Sequence, residues 1–117
     1  CDPNHVAAVM KNVDHPAVRV NWDVLHPLRV CALDFAAAHA LLKPWIAHTH
    51  VHDSIFDADS VGTFEYVEMG TGLVDHRPVI DLLQADGYEG YLSGEWINWE
   101  PYNVHLPREI AIMRSYG

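Results

Sequence analysis

The chain has 117 residues, of which half are hydrophobic and a fifth are charged, a balance typical of a globular protein with one core. Its formal net charge is −9, and its seven lysines and arginines are scattered along the sequence. Binding to nucleic acid requires clustered cations, so no nucleic-acid partner is expected. No apolar run approaches the roughly 20 residues of a membrane span, so no membrane partner is expected either.

The cysteines and histidines bear on compartment and chemistry. Cys1 and Cys31 form neither a CxxC pair nor a disulfide framework. This favours reduced thiols in a cytoplasmic protein. Nine histidines among 117 residues is a high proportion and the first indication of metal or acid–base chemistry.

The first part of the chain predicts a helix, a strand and a second helix. Asp2 and Pro3 are typical of a helix start, and the helical pattern continues to Val13. Residues 17–23 alternate strictly between apolar and polar side chains, as expected of a strand. The alanine-rich residues 33–42 then predict the second helix.

The second part of the chain continues this order. Residues 45–51 predict a strand, and residues 52–74 predict a long connection that contains acidic residues and glycines. A helix over 78–85, a strand over 90–96 and a helix over 107–116 complete the chain. Strands separated by helices of this length imply right-handed crossovers and a parallel sheet, so we expect an α/β fold within one domain.

Each predicted strand has an apolar face and a polar face, because side chains alternate along a strand. The last ionisable side chains on the three polar faces are Asp23, His50 and Glu95. Burying them without partners would cost several kcal/mol per charge, and a bound cation would remove that cost. In (β/α) barrels the chemistry lies at the C-terminal ends of the strands, where these residues stand. They are therefore predicted to bind a metal ion.

Two carboxylates and an imidazole form a mixed oxygen–nitrogen ligand set. Such a set suits one divalent ion, namely Mn²⁺, Mg²⁺, Co²⁺ or Zn²⁺. The ion would act as a Lewis acid on a carbonyl or hydroxyl group of a polyol. His26 follows Asp23 by three residues and is a candidate for hydrogen bonding to substrate, with a hydrogen bond at the helix entry as the alternative.

Three further residues are candidates for substrate binding. His52 and Asp53 lie in the long connection and could reach the substrate, although solvated loop residues would fit the sequence equally well. Trp96, together with Trp99 and Tyr102, could form a wall of a sugar pocket. Packing beneath the last helix is the alternative for these aromatic side chains.

A purely structural interpretation exists for each predicted ligand. Taken alone, Asp23 could cap the turn after its strand, His50 could be a core histidine, and Glu95 could be a solvated charge at a strand end. Only their joint occurrence on three strands favours metal ligation.

Four segments carry a resemblance that extends over nearly the whole chain: residues 21–26, 46–53, 70–75 and 87–95. In this order and spacing they resemble the strand ends and the glycine loop of the xylose isomerase-like TIM barrels, the sugar phosphate isomerase/epimerase group. In that group the second histidine of the second segment, here His50, is a metal ligand. The glutamate that ends the last segment, here Glu95, is both a ligand and the acid–base residue.

The resemblance implies that the chain is the C-terminal part of a (β/α)₈ barrel, with its last three strands and their helices. The complete protein would be an isomerase or epimerase of sugars or sugar phosphates in carbohydrate metabolism. It would transfer a proton through a metal-stabilised enediolate, with Glu95 as general base. Such enzymes use a second glutamate on the fifth strand, and this sequence begins after that strand. The fragment alone is therefore expected to be inactive.

Several alternatives stay open at this point. Phe56 stands where some sugar epimerases carry an arginine that holds the substrate. A polyol dehydratase of the inosose type shares the fold, whereas the acidic balance disfavours a DNA-repair endonuclease. The chain could also be an inert barrel fragment, whose open sheet edges would favour a homo-oligomer.

Overall fold

The computed structural model describes residues 2–56, 64–72 and 74–116. The helices and strands follow one another along the chain in this order: α1 (Pro3–Val13), β1 (Val20–Asp23), α2 (His26–Cys31), α3 (Phe35–Leu42), β2 (Ile46–Val51), β3 (Asp53–Phe56), β4 (Phe64–Val67), α4 (Arg77–Ala85), β5 (Leu92–Gly94) and α5 (Tyr102–Arg114). No helix in these described ranges has the length and apolar character needed to cross a bilayer.

A parallel sheet with the order β1-β2-β5 forms the centre of the fold. Asp23 lies opposite His50, and His50 lies opposite Ser93, so the three strands end at nearly the same level. The Glu95 amide then donates to the Val51 carbonyl over 3.2 Å. The predicted α/β fold of a partial TIM barrel is confirmed, and the strand ends that carry the candidate ligands lie side by side.

Helix boundaries follow local capping. The Asp2 carboxylate accepts from the Asn4 amide over 2.9 Å at the start of α1, and Asp34 accepts from the Ala37 amide over 2.8 Å at the start of α3. Gly87 follows α4 with a φ of 69°, which glycine adopts without strain.

The core lies between the helices and one face of the sheet. Trp22 of β1 is buried among apolar side chains of the helices, including Ala38 of α3 and Val79 of α4. The free thiol of Cys31 is exposed, and Cys1 lies outside the described residues.

The long connection predicted over 52–74 is wrong in one respect, because it contains the antiparallel hairpin β3–β4. Each of its strands has four residues, too few for alternation to stand out among neighbouring acids and glycines. Asp57 and Asp59, predicted as part of this connection, lie outside the described residues.

The last helix also begins earlier than predicted, at Tyr102, and contains Pro107 in its interior. A proline there removes one helical hydrogen bond. Buried His105 and Glu109 on either side of Pro107 hold the helix against the rest of the protein.

Candidate metal centre

Asp23 ends β1 with a buried carboxylate that is only half satisfied. Its Oδ1 accepts from the amides of Leu25 (3.0 Å) and His26 (3.2 Å) and so caps the turn into α2. Its Oδ2 is buried and accepts no hydrogen bond from the part of the chain that the structure describes. The capping interpretation therefore accounts for one oxygen and leaves the other free for a ligand.

His52 follows β2 directly and is almost completely buried. Its Nδ1 lies 3.7 Å from Asp23 Oδ2, and neither ring nitrogen has a hydrogen-bond partner among the described residues. Burial lowers the pKa of His52 to about 4, although the Asp23 carboxylate acts in the opposite direction. The imidazole is therefore neutral near pH 7, the form in which a histidine binds metal.

Glu95 completes this group from the residue after β5. One ligand atom each from Asp23, His52 and Glu95 lies within 4.8 Å of the others. The unpaired Asp23 Oδ2 and His52 nitrogens fit a bound divalent cation, because burying these polar atoms without a partner costs free energy. The donor set also has the mixed oxygen–nitrogen character that such cations accept.

His50, the histidine predicted as a ligand, stands beside this group. Its Nδ1 lies 3.2 Å from Glu95 Oε2, and Asn21 Nδ2 lies 3.1 Å from its Nε2. The structure thus groups the predicted ligands Asp23 and Glu95 with His52, and it places the predicted ligand His50 beside Glu95 and Asn21. Strand alternation could not separate the two histidines, because positions 50 and 52 have the same parity.

His26 lies at the rim of the centre. Its Nε2 is 3.4 Å from Asp23 Oδ2, and its side chain is 43% exposed. Burial of the remainder lowers its pKa, with Asp23 opposing the shift. Both interpretations of this residue have support, since its amide donates to Asp23 at the helix entry while its side chain is partly exposed beside the Asp23 carboxylate.

Asp53 does not face the centre. It is fully buried, and its carboxylate accepts from the amides of Ser54 (2.8 Å), Gly70 (2.9 Å) and Gly72 (2.9 Å). A Cβ atom at Gly72 would overlap this carboxylate. The Asp53 carboxylate is therefore engaged within the protein, where it holds the glycine loop against the hairpin.

Trp96 packs beneath the last helix. Its ring stacks on Trp99 at 6.2 Å between centroids and meets His105 of α5 at 5.0 Å. The ring also lies over Gly94, where a Cβ atom would overlap it. These contacts match the packing alternative, whereas Tyr102 is largely exposed.

Aromatic side chains of the hairpin cover the centre, and the sequence pattern did not reveal them. The rings of Phe64 and Tyr66 lie 6.4 Å and 5.2 Å from the His52 ring. Burial raises the pKa of Tyr66. A cavity of about 590 Å³ opens on the hairpin and is lined by residues 64–66 and 97–99. Tyr66 joins this cavity to the centre, although none of the three grouped ligands lines it.

Comparison with known proteins agrees with the fold. The sequence matches the family described as xylose isomerase-like TIM barrel over residues 1–116. A xylose isomerase domain protein from Planctomyces limnophilus superimposes with a TM-score of 0.80 at 17% identity, over 99% of this chain and 41% of that one. No curated protein matches the sequence.

A second solved structure gives the same result. A xylose isomerase-like TIM barrel protein from Mycobacterium smegmatis, in complex with magnesium, superimposes with a TM-score of 0.73 at 22% identity. The match covers 98% of this chain and 39% of that one, so the chain spans about two fifths of the length of both structures. With the family match over residues 1–116, the chain belongs to the xylose isomerase-like TIM barrel family.

Proposed function

We propose that the complete protein is a divalent-metal-dependent isomerase or epimerase of sugars or sugar phosphates. The observation that carries this proposal is the convergence of Asp23, His52 and Glu95 within 4.8 Å at the C-terminal end of the parallel sheet. Family membership and the magnesium complex of the Mycobacterium smegmatis protein support the same chemistry.

Asp23, His52 and Glu95 would hold one divalent ion, of the Mg²⁺, Mn²⁺, Co²⁺ or Zn²⁺ type. Such an ion supplies Lewis acidity, which polarises a carbonyl or hydroxyl oxygen of the substrate. The protein contributes a centre that the hairpin rings partly enclose, and electrostatic interactions are stronger where water is excluded.

Glu95 is the residue we assign to proton transfer. Its side chain is 35% exposed, against 9% for Asp23, so it is the carboxylate that a substrate can approach. It would remove the proton from the carbon next to a carbonyl. Isomerisation would return this proton at the adjacent carbon, whereas epimerisation would need a second acid to deliver a proton to the opposite face of the same carbon. The His50 ring at 3.2 Å holds this carboxylate in position, and the exposed His26 ring can donate to a substrate oxygen.

Glu95→Gln tests the assignment in the complete protein. We expect a loss of about a hundredfold or more in turnover, the usual contribution of a general base. Incorporation of solvent deuterium into a panel of ketoses and their phosphates measures the proton transfer, and elemental analysis measures bound metal. Glu89→Gln is the matched control, because Glu89 is an exposed carboxylate just before the same strand.

Unchanged metal content together with unchanged deuterium exchange in Glu95→Gln would contradict the proposal. Loss of water from an inosose without epimer formation would instead assign the protein to the polyol dehydratases of this fold.

A further inference from the structure

Arg29 of α2 forms no ion pair with any residue in the described part of the chain. Its guanidinium lies 3.8 Å above the centroid of the Phe64 ring. Its Nη1 atom is buried and has no hydrogen-bond partner within the described residues. No carboxylate of the described ranges lies within ion-pair distance of it. An aromatic face stabilises such a cation but leaves its hydrogen-bond donors unused.

Two other arginines that stack on aromatic rings show what a structural arginine looks like in this protein. Arg108 lies over Trp99 and pairs with Glu68, Glu100 and Glu109. Arg77 lies over Tyr116 and pairs with Asp75. Arg29 shares the aromatic contact but has no carboxylate partner among residues 2–56, 64–72 and 74–116. Its hydrogen-bond donors are therefore candidates for binding an external ligand.

The position of Arg29 links it to the metal centre. The Phe64 ring on which it stacks lies against the ring of His52, at 6.4 Å between centroids. Arg29 also stands three residues after His26, which is one turn of α2. The cation therefore contacts a ring that itself packs on a residue of the metal centre.

We propose that Arg29 binds an anionic group of the substrate, so that the substrate carries a carboxylate or a phosphate ester. The planar guanidinium offers paired donors that match both oxyanions. Burial lowers the pKa of Arg29, but an arginine remains charged at neutral pH. Identifying the bound anion as part of the substrate rests on the proposed function, whereas anion binding itself does not.

Calorimetric titration of the complete protein tests this inference, both after metal removal and after loading with Mn²⁺. The probes are inorganic phosphate, glycolate and, as a neutral control, ethylene glycol. We expect wild type to bind at least one anion and Arg29→Met to bind it at least tenfold more weakly. Arg77→Met, which removes the arginine over Tyr116, should bind as wild type does.

The two anions distinguish the two sources of negative charge. Tighter binding of phosphate indicates a phosphate ester, and tighter binding of glycolate indicates a carboxylate. Equal affinity of wild type and Arg29→Met, or no anion binding by wild type, would overturn the inference. If Arg29→Met fails to fold by circular dichroism, Arg29→Gln replaces it as the uncharged variant, with the same tenfold criterion.

Metal content, measured in the same samples, keeps this inference separate from the proposed function. Metal uptake without anion binding would contradict the proposed role of Arg29 and leave the proposed function standing. Anion binding that depends on Arg29, without any metal uptake, supports the anion site and contradicts the metal-dependent reaction.

Discussion

Asp23 and Asp53 are both buried aspartates, and their surroundings are opposite. Asp53 uses both carboxylate oxygens on three backbone amides of the hairpin and the glycine loop. Asp23 accepts from two amides through Oδ1, while Oδ2 has no hydrogen-bond donor among the described residues and lies near the His26 and His52 rings. A buried carboxylate that the protein satisfies completely supports structure, whereas a half-satisfied one next to other ligand atoms is suited to bind a cation.

Glu109 of α5 belongs with Asp53 in this comparison. One oxygen accepts from the Met69 amide over 2.9 Å, and the other accepts from Arg108 Nε over 2.8 Å. Both acids therefore hold the segment that leads from the hairpin towards α4, and the metal centre lies on the other side of the hairpin strands.

The largest expected effect is that of Asp53→Ala. It leaves three backbone amides without their acceptor. Each lost hydrogen bond costs about 1 kcal/mol or more, so we expect the free energy of unfolding to fall by about 3 kcal/mol. Urea denaturation of the complete metal-free protein measures the change. Asp23→Asn is the matched control and should alter stability by less than about 1 kcal/mol, because the amide oxygen can still cap the turn. Equal losses of stability in the two variants would contradict the distinction drawn between Asp53 and Asp23.

The second expected effect concerns the two histidines of the centre. Saturation with a divalent ion at a hundred times its Kd should stabilise the protein by about 2.7 kcal/mol. His52→Asn should lose most of this gain, and His50→Asn should keep most of it, because His52 has the unpaired nitrogens beside Asp23. Thermal melting with and without Mn²⁺ decides between them. The opposite result would make His50 the ligand, as the sequence pattern predicts.

The smallest expected effect comes from His39, a buried histidine of α3 that is not part of the metal centre. Burial against Trp22 lowers the pKa of His39, with Asp86 at 3.3 Å opposing the shift. Below about pH 6.5 the unfolded chain takes up a proton that folded His39 resists, so stability falls as the pH falls. His39→Gln should show a shallower decline between pH 7 and 5 by about 1 kcal/mol or less, in denaturation at both pH values. An identical slope would show that His39 titrates normally.

Much of the fold could be predicted from local patterns. Alternation and helix capping identified α1, α3, α4, α5 and the three parallel strands, because each pattern repeats within a few residues. The short helix α2 was not predicted, because a turn was expected at His26-Pro27. The hairpin β3–β4 was not predicted, since its short strands are stabilised mainly by pairing with each other. Arg29 and Tyr66 were not predicted as neighbours of the metal centre either, because their contacts with it are made through the hairpin.

The sequence by itself determined which faces of the strands carry ionisable side chains and at which end of the sheet they meet, because strand parity is a local property. It favoured His50 over His52 as the ligand, because the predicted strand ended at residue 51 and the family resemblance assigned that role to His50. Only the tertiary structure decided that His52 lies buried and unpaired beside Asp23 while His50 contacts Glu95. Burial and hydrogen bonding depend on segments far apart in the chain, and those contacts exist only in the folded protein.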